Sequence, residues 1–218
     1  MRIVSRKDWP KYGFVNKKGK LVVPAEYKMV YSFSEGMATV KKDDKFGVVN
    51  KTGKLVIPLE YDYLNDFKEG KAAVRKGQFY GFINKQGKVI IPISQSYFPR
   101  SFNEGLAMVS QGGKFGYINS LGVVVIPMTY QRGAVFRNGV ALVKKDGKWG
   151  GIDKKGKQVF PFEYDDVYSY NRSGGLFVLK KDDKWGALNK KGKVVVPFEH
   201  NRMNPFRDGY ARVKGEKK

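Results

Sequence analysis

The sequence predicts an all-β tandem-repeat protein, six β-meander units of about 34 residues in an open, twisted array. Three observations predict it. Aromatic-glycine pairs recur at Tyr12-Gly13, Phe46-Gly47, Tyr80-Gly81, Phe115-Gly116, Trp149-Gly150 and Trp185-Gly186, at spacings of 34, 34, 35, 34 and 36. The turn glycines Gly19, Gly53, Gly87, Gly122, Gly156 and Gly192 keep those spacings, as do Pro24, Pro58, Pro92, Pro127, Pro161 and Pro197. A third series, Gly36, Gly70, Gly105, Gly139, Gly175 and Gly209, is followed two residues later by Ala38, Ala72, Ala107, Ala141, Phe177 and Ala211. A fixed period of this size marks a solenoid, a propeller or an array.

Helix pairs share a period near 34, but the local chemistry excludes them. The stretch FGVVNKTGKLVIP, Phe46 to Pro58, is rich in β-branched residues broken by turn formers and has no apolar stripe at helical spacing. In the first full unit the strands are expected at Ala38–Lys41, Phe46–Asn50 and Leu55–Ile57. A two-residue turn joins the first pair; its copies are Asp43-Asp44, Gly112-Gly113, Asp146-Gly147 and Asp182-Asp183, residues that tolerate positive φ. Asn50-Lys51-Thr52-Gly53 joins the second pair as a type I turn with a glycine bulge, and five copies start with Asn and one with Asp153. Each proline is expected to end its strand by removing a ladder donor. A looser segment carrying Pro-x-x-Tyr completes the unit.

The units fall at roughly 11–44, 45–78, 79–113, 114–147, 148–183 and 184–218, in a single domain without linker or low-complexity tract. RIVSRKDWPKYG matches ATVKKDDKFG of the next unit, so the chain starts on the last strand of a preceding unit and ends on an equivalent one, Tyr210 to Lys214. That frame suggests a fragment of a longer array, or a chain whose signal was removed. Four-stranded propeller blades take about 40–45 residues. With 34–36 here, a closed six-bladed propeller is the alternative. There is no cysteine, hence no disulfide. No signal peptide or membrane-length apolar run is present, so the compartment is cytoplasmic as given, or envelope or secreted if a signal preceded it. No membrane insertion and a monomeric state are expected.

Lys148-Trp149-Gly150 and Lys184-Trp185-Gly186, each followed by Asp/Asn-x-x-Gly-Lys, resemble the bacterial WG (KWG) repeat. The resemblance covers nearly the whole chain in six copies, four with Tyr or Phe in place of Trp. It implies a non-catalytic binding or surface module, and no catalytic residue or cofactor.

The signature residues Trp149, Gly150, Trp185, Gly186, Phe46 and Gly47 read first as structural, the aromatics stacking between units and the glycines admitting a close backbone. A ligand-stacking platform is the other reading. Tyr27, Tyr61, Tyr130 and Tyr164 are expected in the core with paired hydroxyls, and His200 takes that position in the last unit. As the sole histidine, His200 leaves little room for a catalytic triad. A two-carboxylate glycosidase is disfavoured because Glu26, Glu60, Glu163 and Glu199, or Glu35, Glu69 and Glu104, obey the repeat, whereas an active site breaks it. The breaks are PISQSYFPRSF in the third unit and two extra residues around YSYNRSGG in the fifth, weak candidates for a specific contact.

The charge is the functional signal. The net charge is +22, and of 42 basic residues 32 are lysine and 10 arginine. Base reading and bidentate phosphate clamps favour arginine, so sequence-specific nucleic-acid recognition is not expected. The lysines form two periodic series. One lies in and just after Asn-x-x-Gly: Lys17, Lys18, Lys20, Lys51, Lys54, Lys85, Lys88, Lys154, Lys155, Lys157, Lys190, Lys191 and Lys193. The other flanks the two-residue turns, with Lys41, Lys42, Lys45, Arg75, Lys76, Lys144, Lys145, Lys148, Lys180, Lys181 and Lys184. A row of cations suits a linear polyanion, nucleic acid or anionic glycan, through long-range attraction. The candidate contacts are Lys154, Lys155, Lys157, Lys190, Lys191 and Lys193, with Lys17, Lys18 and Lys20. A protein partner, or a spacer with no ligand, are the competing readings.

Overall fold

A computed structural model describes residues 2–6, 11–168 and 175–214. Every regular element is a β-strand. By contact density the chain divides into two compact units, residues 1–102 and 103–218.

The first unit contains three antiparallel sheets, each with its strands side by side in chain order. They are Arg2–Arg6, Lys11–Val15 and Leu21–Tyr27; then Met29–Val30, Met37–Lys42, Lys45–Asn50 and Leu55–Tyr61; then Tyr63–Leu64, Lys71–Lys76, Phe79–Asn84 and Val89–Gln95. The strand Phe98–Asn103 runs across the division, and the second unit holds Leu106–Gln111, Lys114–Ile118 and Val124–Tyr130 as neighbouring antiparallel strands. Two further four-stranded sheets follow, Arg132–Gly133 to Gln158–Tyr164 and Asp166–Val167 to Val194–His200, and then the pair Arg202–Met203 and Val213–Lys214.

The repeat is therefore a four-stranded sheet, where the sequence led us to expect a three-stranded meander. The looser segment holds the fourth strand, which in most sheets is only two residues long. Its brevity lets four strands fit in a 34–36-residue period, which removes the strand-count objection to a propeller blade. A two-residue turn missed at the sequence level leads out of it: Glu35-Gly36, Glu69-Gly70, Glu104-Gly105, Asn138-Gly139 and Asp208-Gly209 all have positive φ. The terminal strand is likewise shorter than expected, Val213–Lys214 rather than Tyr210 to Lys214. The extra residues around YSYNRSGG lie outside the described residues.

The prolines do not end their strands. Leu55–Tyr61 runs through Pro58 because it is an edge strand and is bulged there. The register passes from Val48↔Ile57 to Phe46↔Tyr61, setting two extra residues against the central strand. On an edge, a missing N–H leaves no ladder partner unpaired. The bulge in turn explains the glycine after each aromatic. A Cβ on Gly47 would lie 2.7 Å from the carbonyl oxygen of Ile57, and one on Gly116 2.5 Å from that of Ile126. The close approach occurs inside one sheet, not between units.

Both expected hairpin types are present. Asp43 and Asp44 have φ of 47° and 61°, and Gly112 and Gly113 of 56° and 73°, as a two-residue hairpin turn with positive φ at both centres requires. In the longer loop the Gly53 N–H donates to the Asn50 carbonyl at 3.0 Å and the Asn50 N–H to that of Lys54 at 3.0 Å, a type I turn with its bulge.

Within each unit the core lies between successive sheets. Val48, Ile57 and Tyr61 meet Leu64, Phe67, Ala72, Val74 and Ile83 in the first unit. In the second, Val140, Leu142, Phe160 and Tyr164 meet Phe177, Leu179 and Leu188. Central strands such as Met37–Lys42 bury both faces, Ala38 and Val40 on one side and Thr39 on the other.

Candidate functional site

Each Asn-x-x-Gly loop is tied down by its own first residue. The Asn16 Oδ1 accepts the N–H groups of Lys18 at 2.9 Å and Lys20 at 3.1 Å. Asp153 does the same for Lys155 and Lys157 at 2.9 and 2.8 Å, and Asn189 for Lys191 and Lys193 at 2.9 and 3.1 Å. A short acceptor side chain that folds back on its own backbone is what Asn and Asp provide, more strongly than Ser or Thr. The loop glycine then rests on the preceding sheet. A Cβ on Gly53 would collide with the Val22 carbonyl oxygen, one on Gly192 would lie 3.1 Å from that of Val159, and one on Gly156 3.5 Å from the Ile126 side chain.

With the acceptor turned inward, the remaining loop positions project, except Lys85, which is half-buried and pairs with Glu35 at 3.1 Å. Lys17, Lys18, Lys20, Lys154, Lys155, Lys157, Lys190, Lys191 and Lys193 are all exposed. The two loops carrying the last six sit on successive sheets of the second unit, and the Asn16 and Asn50 loops on successive sheets of the first. Lys154 differs from its neighbours, because its ammonium pairs with Glu104 at 3.4 Å. Among the described residues no carboxylate pairs with the other eight.

The second lysine series is mostly paired, although among the described residues no carboxylate pairs with Lys144 or Lys145. Lys42 and Lys76 pair with Glu26 and Glu60 at 2.9 Å, and Lys181 with Glu163 at 3.0 Å. Lys45 and Lys148 pair with Asp62 and Asp165, and Lys41 with Asp44. The Lys148 ammonium holds the Asp165 carboxyl below its ordinary value, against a smaller opposing effect of partial burial. The acids of Pro-x-Glu-Tyr-Asp, complete at Pro58 to Asp62 and Pro161 to Asp165, thus offset charge at that end of their sheets, and the Asn-x-x-Gly loops have no such recurring acids.

The signature aromatics Phe46, Trp149 and Trp185 are half-buried. Trp149 packs on the core around Phe160 and Tyr164, and Trp185 on Tyr168 at 5.1 Å between ring centroids. Phe46 belongs to a ring series that sequence reasoning missed: Tyr31, Phe46, Tyr63, Phe98 and Tyr80, with successive centroids 6.5, 6.4, 6.1 and 5.4 Å apart. Tyr63 follows Tyr61 by two residues, a position that only the short strand places near Phe46. Gly150 and Gly186 are buried under rings, where a Cβ would lie 2.7 Å from Phe162 and 2.9 Å from Phe198.

Tyr27, Tyr61 and Tyr164 are buried. Burial and the adjacent Glu163 carboxylate push the Tyr164 hydroxyl up to about 12. Tyr130 is half-buried against Phe162. His200 stands opposite Trp185, as Tyr164 stands opposite Trp149, and is half-buried. In the irregular third unit Tyr97 is buried, and its hydroxyl has no hydrogen-bond partner among the described residues. No group of three or more His, Asp or Glu among the described residues could hold a metal ion.

The family model for the WG containing repeat matches the chain six times, at residues 12–46, 46–78, 80–115, 115–149, 149–185 and 185–218. Among solved structures, the chain is similar to Kluyveromyces lactis Hsv2 with complete loop 6CD, at TM-score 0.51 and 13% identity over 74% of this chain and 58% of that one. It is similar to KlHsv2 with loop 6CD replaced by a Gly-Ser linker, at TM-score 0.50 and 12% identity over 74% of this chain and 62% of that one. A structure described as the eukaryotic initiation factor matches at TM-score 0.53 and 9% identity over 93% of this chain and 74% of that one. The chain thus spans about three-fifths of the length of the Hsv2 structures. These likenesses concern fold alone. No curated protein matches the sequence.

Proposed function

The chain belongs to the WG containing repeat family, and from that premise we propose that it is a non-enzymatic binding module whose Asn-x-x-Gly loops engage a linear anionic polymer. Family and fold support a repeat interaction module. The polymer reading rests on one observation, the sorting of lysines by ion pairing. One end of most sheets pairs the larger part of its cations, while the other, apart from the paired Lys85 and Lys154, projects Lys17, Lys18, Lys20, Lys155, Lys157, Lys190, Lys191 and Lys193 from hydrogen-bonded loops. Ammonium groups on flexible stems act as point charges and read no base edge, so the recognition is electrostatic and independent of sequence. The ligand carries regularly spaced phosphate, sulfate or carboxylate groups.

The test is binding of heparin and of duplex DNA as a function of salt. Affinity should fall linearly on a log–log plot, by about −0.9 per duplex phosphate contacted. Changing Lys154, Lys155, Lys157, Lys190, Lys191 and Lys193 together to Gln should weaken binding and flatten the slope, with Lys154 contributing least. Changing Lys42, Lys76 and Lys181 to Gln should leave the slope nearly unchanged, because those charges are already compensated. Equal binding by parent and six-fold variant at physiological salt sinks the polymer reading.

A protein partner is the second reading, supported by the fourth Asn-x-x-Gly loop. There Leu121 is 77% exposed and Val123, Val124 and Val125 are exposed beside it. An uncharged apolar tip in an otherwise basic series suits a protein surface better than a polyanion.

A further inference from the structure

In two places a carboxylate links the turns that enter the second strands of successive sheets. Glu35 accepts the N–H groups of Glu69 at 2.7 Å and Gly70 at 3.0 Å, and pairs with Lys85 at 3.1 Å. In the second unit Glu104 accepts the N–H of Gly139 at 2.9 Å and pairs with Lys154 at 3.4 Å. Each time one carboxylate sits between the turn of the next sheet and the first lysine of that sheet's Asn-x-x-Gly loop. The arrangement is a small anion site in which the protein supplies its own anion.

The next copy has the site without the anion. Asn138 stands where Glu35 and Glu104 stand, directly before its turn glycine. Its side chain lies over Gly175, the counterpart of Gly70 and Gly139: a Cβ there would be 3.7 Å from the Asn138 Nδ2 and 3.9 Å from its Cγ. Lys190 is the counterpart of Lys85 and Lys154, the first residue after the loop's Asn. Asn138, Gly175, Leu176, Asn189, Lys190 and Lys191 line a cleft of about 310 Å³. Among the described residues the lining holds two lysines and no carboxylate.

We propose that this cleft binds an exogenous oxyanion, a phosphate or carboxylate group, where the other copies place a glutamate. Lys190 and Lys191 supply the charge, and the Asn138 amide and the Gly175 N–H supply neutral donors, a set that favours a compact anion. The inference rests on the reading that this end of the sheets receives anions, and adds to it one discrete site. The volume admits a single phosphorylated or carboxylated unit, free or as one residue of a polymer.

Internal symmetry supplies the test. Thermal melting of the parent in inorganic phosphate, against chloride at matched ionic strength, should show a saturable rise of a few degrees. Asn138→Glu restores the internal carboxylate: it should melt above the parent in chloride and lose the phosphate response. Glu104→Asn should melt below the parent in chloride and gain a larger phosphate response, because it creates a second such site. An identical parent curve in phosphate and chloride overturns the inference, and so does a phosphate response that survives Asn138→Glu. A heparin titration of Asn138→Glu separates this inference from the broader one. Retained salt-dependent heparin binding with a lost phosphate response supports the discrete site. Lost heparin binding in the six-fold lysine variant, with no phosphate response in the parent, overturns the discrete site and leaves the polymer reading standing.

Discussion

Gly53 and Gly36 adopt almost the same backbone angle, φ of 87° and 85°, yet they hold the fold in different ways. Around Gly36 nothing lies within 4 Å of where an added methyl would stand, so Gly36→Ala incurs only left-handed strain, about 1 kcal/mol. At Gly53 the same methyl meets the Val22 carbonyl oxygen of the preceding sheet. Gly53→Ala should therefore cost at least twice as much in urea unfolding, and equal costs would show that the loop is not seated on its neighbour. Gly156→Val should also be costly, because a β-branched residue at φ 79° is strained and Ile126 lies 3.5 Å from the site. Trp149→Ala should cost about 2 kcal/mol, below the roughly 3–5 kcal/mol of a fully buried aromatic, since Trp149 is half-buried. A loss as large as that of a core phenylalanine would mean the indole holds sheets together. Sequence reasoning recognised each glycine as special but could not say which atom pressed on it, because Val22 and Ile57 approach only through tertiary packing.

The element best legible in the sequence is the Asn-x-x-Gly hairpin, because its geometry is decided within five residues. Asn50 accepts the N–H groups of Thr52 and Lys54 at 3.0 and 3.1 Å, and Gly53 supplies the bulge. Asn50→Ala should destabilise by about 1 kcal/mol, read from denaturant midpoints, because two exposed turn donors lose their acceptor to water. The least legible elements are the two-residue strands and the proline bulge. A strand such as Tyr63–Leu64 is too short for alternation to mark, and Pro58 ends a strand by every local rule except its place at a sheet edge. The Glu35 link was half legible: its recurrence with Glu69 and Glu104 was visible, but its partner Lys85 lies 50 residues on. Partial burial pushes the Glu35 carboxyl up, and hydrogen bonds from Lys85, Gly70 and Glu69 outweigh it and hold it below the ordinary value. A depressed carboxyl contributes stability above its unfolded value and loses it as pH falls through the folded one. Acid unfolding of Glu35→Gln should accordingly lose part of the pH dependence seen in the parent, while the two proteins converge at the acid end. An unchanged pH profile would mean that Glu35 does not link the turns.

At the scale of the whole molecule the governing quantity is net charge, +22 on 218 residues. The repeat period and the all-β class were readable because each copy repeats the same short-range signals. The sorting of lysines was not, because Lys42 and Lys181 find Glu26 and Glu163 across strands. Uncompensated charge repels itself and opposes the compact state, most strongly at low salt, where the screening length is about 30 Å at 0.01 M against about 10 Å at 0.1 M. The melting temperature of the parent should therefore rise as sodium chloride is added from 0.01 M. Replacing Lys154, Lys155, Lys157, Lys190, Lys191 and Lys193 by Gln lowers the net charge from +22 to +16. It breaks one exposed pair among the described residues, Lys154 with Glu104, worth at most about 1 kcal/mol. Relief of repulsion should outweigh that loss, so the six-fold variant should melt above the parent at 0.01 M salt and approach it as salt is raised. A variant that melts below the parent at low salt would mean these lysines are structural, held by attractions stronger than the repulsion they add. A positive charge that weakens the fold in isolation, and is kept on rigid loops, is stabilised when an anion binds it.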